Sequence, residues 1–159
     1  MLKVQCVTNK STTTDRIELA KQLSKHFHKG QKYGEHDYYT YHISGVVKTL
    51  ELVAKEVTED MIITALLHDV LEDSPCTYDT VENIFGTWIA DCVQRLSKIG
   101  HYNMIYYMEE IGRYKTTQVV KYADSLFNHQ ECVKVGDIKR AEKYQRNLQQ
   151  LYSKELFKC

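Results

Sequence analysis

Proline is almost missing from this chain: Pro75 is the only one in 159 residues, and glycine occurs seven times. With so few breakers, long uninterrupted stretches favour helices over a turn-rich sheet. An excess of either charge is missing too, since 21 Lys and Arg balance 21 Asp and Glu. That balance argues against a general nucleic-acid binder, which needs a basic face to neutralise phosphates. No apolar run approaches the roughly 18 residues of a membrane span. The opening MLKVQCVTNKSTTTD has no long apolar stretch after its charge, so it does not read as a secretory signal. The five cysteines (Cys6, Cys76, Cys92, Cys132, Cys159) are odd in number and include no CxxC pair. A disulfide framework or a cysteine-rich zinc site is therefore not expected; free thiols in a reducing, cytoplasmic compartment are.

What is present is ordinary globular material, 43% hydrophobic and 26% charged, enough for one soluble domain over residues 1–159 with a buried core. Residues 1–12 read as a lead-in segment. From Thr14 or Asp15 the stripe Ile17, Leu19, Ala20, Leu23 and Phe27 predicts a helix that Gly30 stops. Residues 31–37 read as a loop, and a second helix is expected from Tyr39 to Val53. The third, from Glu59 to Asp73, is apolar around nearly its whole circumference, the mark of a buried central helix. Asp60 is its expected cap, and Pro75 its stop. Thr77 offers the next N-cap, Gly86 a break, and Trp88 is expected to pack into the core. Further helices are expected near 103–112, 117–131 and 137–157, the last of which closes the pocket or packs a homodimer. Strand-like alternation is nearly absent, so the fold class is all-α, a compact helical bundle.

Charge inside that central helix calls for a reason, because an unpaired buried carboxylate costs several kcal/mol. Its end carries His68, Asp69, Glu72 and Asp73, with His68/Glu72 and Asp69/Asp73 one turn apart on adjacent faces. The plainest reading is a solvated last turn. His42, however, accompanies inward-facing Ile43, Val46 and Val47, and Asp124 stands among Val119, Val120, Ala123 and Leu126. A lone His or Asp on such a face is commonly structural, but two of each on three core helices match one divalent cation. Nitrogen and oxygen ligands suit manganese, iron or zinc, and helix bundles build metal sites in this way.

The order His42 … His68-Asp69 … Asp124 resembles the H…HD…D signature of the HD-domain metal phosphohydrolases. More narrowly, the chain resembles the hydrolase domain of RelA/SpoT-type enzymes and the stand-alone small alarmone hydrolases. The segments HKGQK (28–32), YYTYHISGV (38–46), ALLHDVLEDSPCT (65–77), IFGTWIADCVQRLSK (84–98) and VKYADSLFN (120–128) carry it. The resemblance implies an HD-domain bundle with a mononuclear manganese(II) site, iron(II) or zinc(II) being alternatives. It implies hydrolysis of the 3′-pyrophosphate of ppGpp and pppGpp. By position, it makes His42, His68, Asp69 and Asp124 the metal ligands, and Glu72 and Asp73 the carboxylates that activate water. It makes Lys32, Tyr33, Asn128 and Tyr144 the substrate contacts. Within these 159 residues it leaves no room for a synthetase or regulatory domain.

Three departures from the family pattern touch substrate binding rather than metal ligation. Tyr33 and Gly34 stand where basic residues are usual, Ser125 replaces another, and Tyr38-Tyr39 replaces Pro-Tyr. They keep open a phosphatase of another nucleotide, such as a nucleoside monophosphate or NADPH, and a catalytically silent module that binds a nucleotide or protein. A dinuclear site is disfavoured, since only His101 lies between His68-Asp69 and Asp124. His26, His28, His36 and His129 read as solvent-facing, with His28 near the pocket mouth.

Overall fold

The computed structural model describes residues 13–100 and 103–158; the lead-in 1–12 and His101 lie outside them. The chain folds as α1 (Thr13–Phe27), a hairpin of β1 (Lys32–Tyr33) and β2 (His36–Asp37), and a π-helical turn (Tyr39–Ile43). There follow α2 (Ser44–Val53), α3 (Glu59–Leu67), α4 (Val70–Asp73), α5 (Tyr78–Phe85) and α6 (Thr87–Leu96). Helices α7 (Met104–Gly112), α8 (Lys115–Lys134) and α9 (Ile138–Leu151) complete the bundle. The all-α expectation holds, and the only sheet among the described residues is the two-stranded hairpin.

Helix α3 is central, as its sequence predicts, because it serves two apolar clusters at once. Met61 and Ala65 join Val46, Leu50, Val119, Val120 and Ile111 on one side. Ile63, Leu66 and Leu67 join Ile43, Val81, Phe85 and Ile89 on the other. Burying each such side chain is worth about 1.5–3 kcal/mol, so α3 is fixed by both halves of the bundle.

The structure corrects several local expectations. The cap of α3 is Thr58, whose side chain accepts from the Met61 amide, and not Asp60. The helix does not run unbroken to Asp73: regular geometry stops at His68-Asp69, where Asp69 takes φ −105°, ψ −4°, and α4 follows. The loop at 31–37 contains the hairpin, with Tyr33 opposite His36. Leu19 lies 42% exposed instead of inward. Helix α9 ends at Leu151, not 157, its last carbonyl taken by the Gln118 side chain. The chain beyond turns back so that Phe157 pairs with Ala54 and stacks on Tyr122 at 4.0 Å. Trp88 is 43% exposed and meets Tyr114 edge-to-face rather than filling the core. Thr77 and Gly86 act as expected: the first accepts from the Thr80 amide, and the second takes φ +90° between α5 and α6.

Candidate metal centre

Three elements deliver the four expected ligands. The π-turn places buried His42, with the wide turn closed by the Ser44 amide on the Tyr39 carbonyl. Such turns recur at functional sites because they re-aim one side chain without ending the helix. The interruption after α3 does the same for neighbours in sequence, bringing His68 Nε2 within 3.0 Å of Asp69 Oδ2. His42 Nε2 lies 3.3 Å from that same oxygen. From α8, Asp124 Oδ1 approaches His42 Nε2 at 3.6 Å and His68 Nε2 at 3.8 Å. The tightest group is His42, His68 and Asp69, with Asp124 alongside.

This donor set fits a divalent cation. The Nδ1 of His68 lies 2.7 Å from the Ala65 carbonyl and donates to it, so that in the neutral imidazole the lone pair is on Nε2, turned to the cluster. That Nε2 is buried and makes no hydrogen bond despite its proximity to Asp69. Adjacent ligands of an ion held at about 2.1 Å stand roughly 3 Å apart, close to the separations found. The field is right as well. Burial opposes the charge of Asp69, but the imidazoles of His68 and His42 hold its carboxyl well below the usual range. Burial likewise opposes a charged His68, yet Asp69 and Asp124 push it up to about 9. A site that draws a proton onto a buried imidazole this strongly presents negative potential to a metal ion.

Around the expected ligands, hydrogen bonds and ring contacts hold the side chains. The Asn128 amide nitrogen donates to the carbonyl of Asp124 at 3.0 Å and to its Oδ1 at 2.6 Å. Its Oδ1 accepts from the Tyr33 hydroxyl at 2.9 Å. The Tyr33 ring stacks flat on His42, 5.1 Å between centroids. Tyr38 donates to Asp69 Oδ2 at 2.7 Å; burial and the Asp69 charge raise its pKa, so the phenol stays protonated. The two expected water-activating carboxylates differ. Glu72 is tied down, its Oε2 accepting from the Lys98 amide at 2.9 Å and its Oε1 lying 3.7 Å from Lys98 Nζ. Asp73 has its pKa raised by partial burial and by the charges of Asp69 and Glu72, as suits a group that takes a proton.

Of the expected ligands, His42, Asp69 and Asp124 line one cleft together with Glu72, Asp73, Tyr33, Asn128 and Tyr144; buried His68 and exposed Lys32, on β1, are not among the lining residues. The cleft's cations are Lys98, Lys121, Arg140 and Lys143. Burial, and then the like charges of Lys98, Lys121 and Arg140, lower the pKa of Lys143. Apart from Tyr144, sequence reading assigned no role to these groups or to Tyr38. A signal existed for α9: Arg140, Lys143, Tyr144 and Asn147 fall at i, i+3, i+4 and i+7, on one face of the helix. Lys98 offered none, because an isolated lysine after a helix is commonplace. His28, expected toward solvent, is buried; its Nδ1 lies 2.8 Å from the Gln31 side-chain oxygen, and Gln31 in turn donates to the Asp73 carbonyl.

Comparison with known proteins bears on the family and the fold. Residues 20–145 match the family model described as HD domain. The chain is 32% identical over 84 residues to the bifunctional (p)ppGpp synthase/hydrolase SpoT of Escherichia coli (strain K12), covering 53% of this chain and 12% of that protein. It is 33% identical over 101 residues to the guanosine-3′,5′-bis(diphosphate) 3′-pyrophosphohydrolase of Aquifex aeolicus, covering 64% and 14% respectively. It thus spans only about an eighth of the length of these relatives. A solved structure described as a metazoan orthologue of SpoT that hydrolyses ppGpp shares the fold, with TM-score 0.69 at 22% identity over 91% of this chain and 86% of that one. Among the described residues no helix is long and apolar enough to cross a membrane. With a family model matched across most of its length and the H…HD…D groups gathered at one buried point, the chain belongs to the HD-domain family.

Proposed function

We propose that the protein is a manganese-dependent nucleotide phosphohydrolase that converts (p)ppGpp to GDP or GTP and pyrophosphate. The observation that carries this reading is the junction of a two-His, two-Asp cluster with Asp73 and a wall of lysine and arginine at one cleft. His42, His68, Asp69 and Asp124 hold the metal, for which manganese(II) is the first choice and iron(II) or zinc(II) the alternatives. When bound, the ion supplies Lewis acidity toward a phosphate oxygen and acidifies water.

The residues of this chain do the rest. Asp73 takes the proton of the attacking water, and Glu72, held by Lys98, keeps that water oriented. Water oxygen bonds to the phosphorus attached to the ribose 3′ oxygen; that P–O bond breaks, and the 3′ oxygen leaves as a hydroxyl protonated from solvent. Lys98, Arg140 and Lys143 neutralise phosphates, while Tyr33 and Tyr144 flank base and sugar. Asn128, its nitrogen committed to Asp124, offers the nucleotide its oxygen only. Lys32 contributes charge from outside the cleft lining. A cytoplasmic setting accords with Cys76, Cys92 and Cys132, which are buried free thiols.

A product assay on chelator-stripped protein tests this, offering ppGpp, nucleoside monophosphates and NADPH with and without manganese(II). The expected result is manganese-dependent release of pyrophosphate from ppGpp, abolished in Asp69→Ala. Orthophosphate released from another nucleotide keeps the site and replaces the substrate; the uncharged Tyr33 side chain beside the ligands favours that second reading. No turnover with any metal would sink both readings in favour of a binding module.

A further inference from the structure

Tyr38 reaches the cluster from outside the ligand set. It immediately precedes the π-turn, and its hydroxyl donates to Asp69 Oδ2 at 2.7 Å while lying 3.5 Å from Asp73 Oδ2. The oxygen it selects matters: Asp69 Oδ2 is the one that faces His42 Nε2 and His68 Nε2, at 3.3 and 3.0 Å. The phenol is therefore bonded to the atom on which both imidazoles converge, and not to the far side of the carboxylate. It is also unable to wander. Its ring sits 5.0 Å from both the His28 and the His42 rings and 6.4 Å from that of Tyr33. A donor fixed by packing loses little rotamer freedom when it bonds, so it can impose an orientation on a less constrained carboxylate.

Asp69 needs such help. It stands at the interruption between α3 and α4, where no regular helical turn sets its side chain, and its carboxylate is 20% exposed to the cleft, unlike His42 and His68 at 3%. Free to rotate, it would turn toward the Lys98, Lys121, Arg140 and Lys143 wall of the same cleft. We propose that Tyr38 is a positioning residue for the metal: its hydroxyl keeps Asp69 Oδ2 turned to the two imidazoles. This rests on the reading of His42, His68, Asp69 and Asp124 as ligands.

The test is a titration of chelator-stripped protein with manganese(II) chloride, reading the free aqua ion by electron paramagnetic resonance, with a thermal melt of the metal-free protein beside it. The parent protein should bind one manganese per chain. Tyr38→Phe keeps the ring and loses only the hydroxyl; its dissociation constant should rise about tenfold or more, within the range for groups that orient metal ligands, while its melt stays cooperative. Tyr41→Phe, whose hydroxyl donates to Glu131 and not to the cluster, should bind as the parent does. Parent-like affinity in Tyr38→Phe overturns the inference, and so does loss of a cooperative melt, which would make Tyr38 a support of the fold. If the parent itself binds no manganese, the ligand reading fails first and takes the inference with it.

Discussion

Lys121 Nζ lies 2.9 Å from Asp124 Oδ2, both side chains buried one turn apart on α8. Burial opposes the ammonium charge, but Asp124 more than restores it and raises the lysine pKa. Asp124 thus divides its charge, Oδ2 to a resident cation and Oδ1 toward the imidazoles. Removing one partner of a buried pair is expected to cost about 3 kcal/mol. Lys121→Met should therefore lower the unfolding free energy of the metal-free protein, read from urea titrations, by about that amount. Because a divalent cation also compensates Asp124, added manganese should recover part of the loss, giving a larger metal-induced rise in melting temperature than in the parent. An equal rise in both proteins would mean that Lys121 and the ion do not share Asp124.

Activity should depend on an unprotonated Asp73. Its pKa is raised by burial and then by Asp69 and Glu72, so the acid limb of the rate profile is expected above the ordinary carboxylate value of 3.8. Asp73→Asn should remove the limb and lower kcat by about 10²-fold or more, the usual contribution of a general base. In Glu72→Gln one neighbouring charge is gone, so the limb should shift to lower pH while kcat also falls. A limb that stays put in Glu72→Gln and persists in Asp73→Asn would assign the base elsewhere.

His28 makes stability sensitive to mild acid. Burial lowers its pKa below 6.5, the pull of Gln31 and Asp69 notwithstanding. The unfolded chain then takes up a proton that the folded chain refuses. The His28 contribution is therefore complete above pH 6.5 and is lost as the pH falls through the lower folded value. Urea midpoints measured between pH 7.5 and about 5 should fall more steeply in the parent than in His28→Gln. Equal slopes would show that His28 charges as readily folded as unfolded.

Gly45 answers to a close approach and not to backbone conformation. A Cβ there would stand 2.2 Å from Cε2 of the Phe127 ring. That ring is itself wedged against Tyr33, Tyr41 and His42. Alanine improves helix propensity by about 1 kcal/mol, but forcing a packed ring aside typically costs 1–3 kcal/mol. Gly45→Ala should come out destabilised in a thermal melt, and weakened in manganese binding because Phe127 transmits the shift to His42. A stabilised variant with parent-like metal affinity would show that α2 and α8 separate freely.

Much of this protein is legible in the residues alone. The scarcity of breakers, the all-round apolar α3, the Thr77 cap and the Gly86 break follow from local chemistry, and the structure keeps them. The candidate ligands were legible because charge on apolar helix faces is costly enough to need an explanation, and the structure brings His42, His68, Asp69 and Asp124 together. Tertiary structure decided what depends on partners distant in sequence. The interruption at His68-Asp69, which brings both side chains to one point, is not contained in the periodicity along α3. Tyr38, Lys98, Arg140 and Lys143 became part of the cleft only when α4, α8 and α9 came together around it, and Trp88 stayed at the surface, edge-to-face with Tyr114. Local pattern fixes which face of a helix turns inward; which side chains meet there is settled by the packing of the whole bundle.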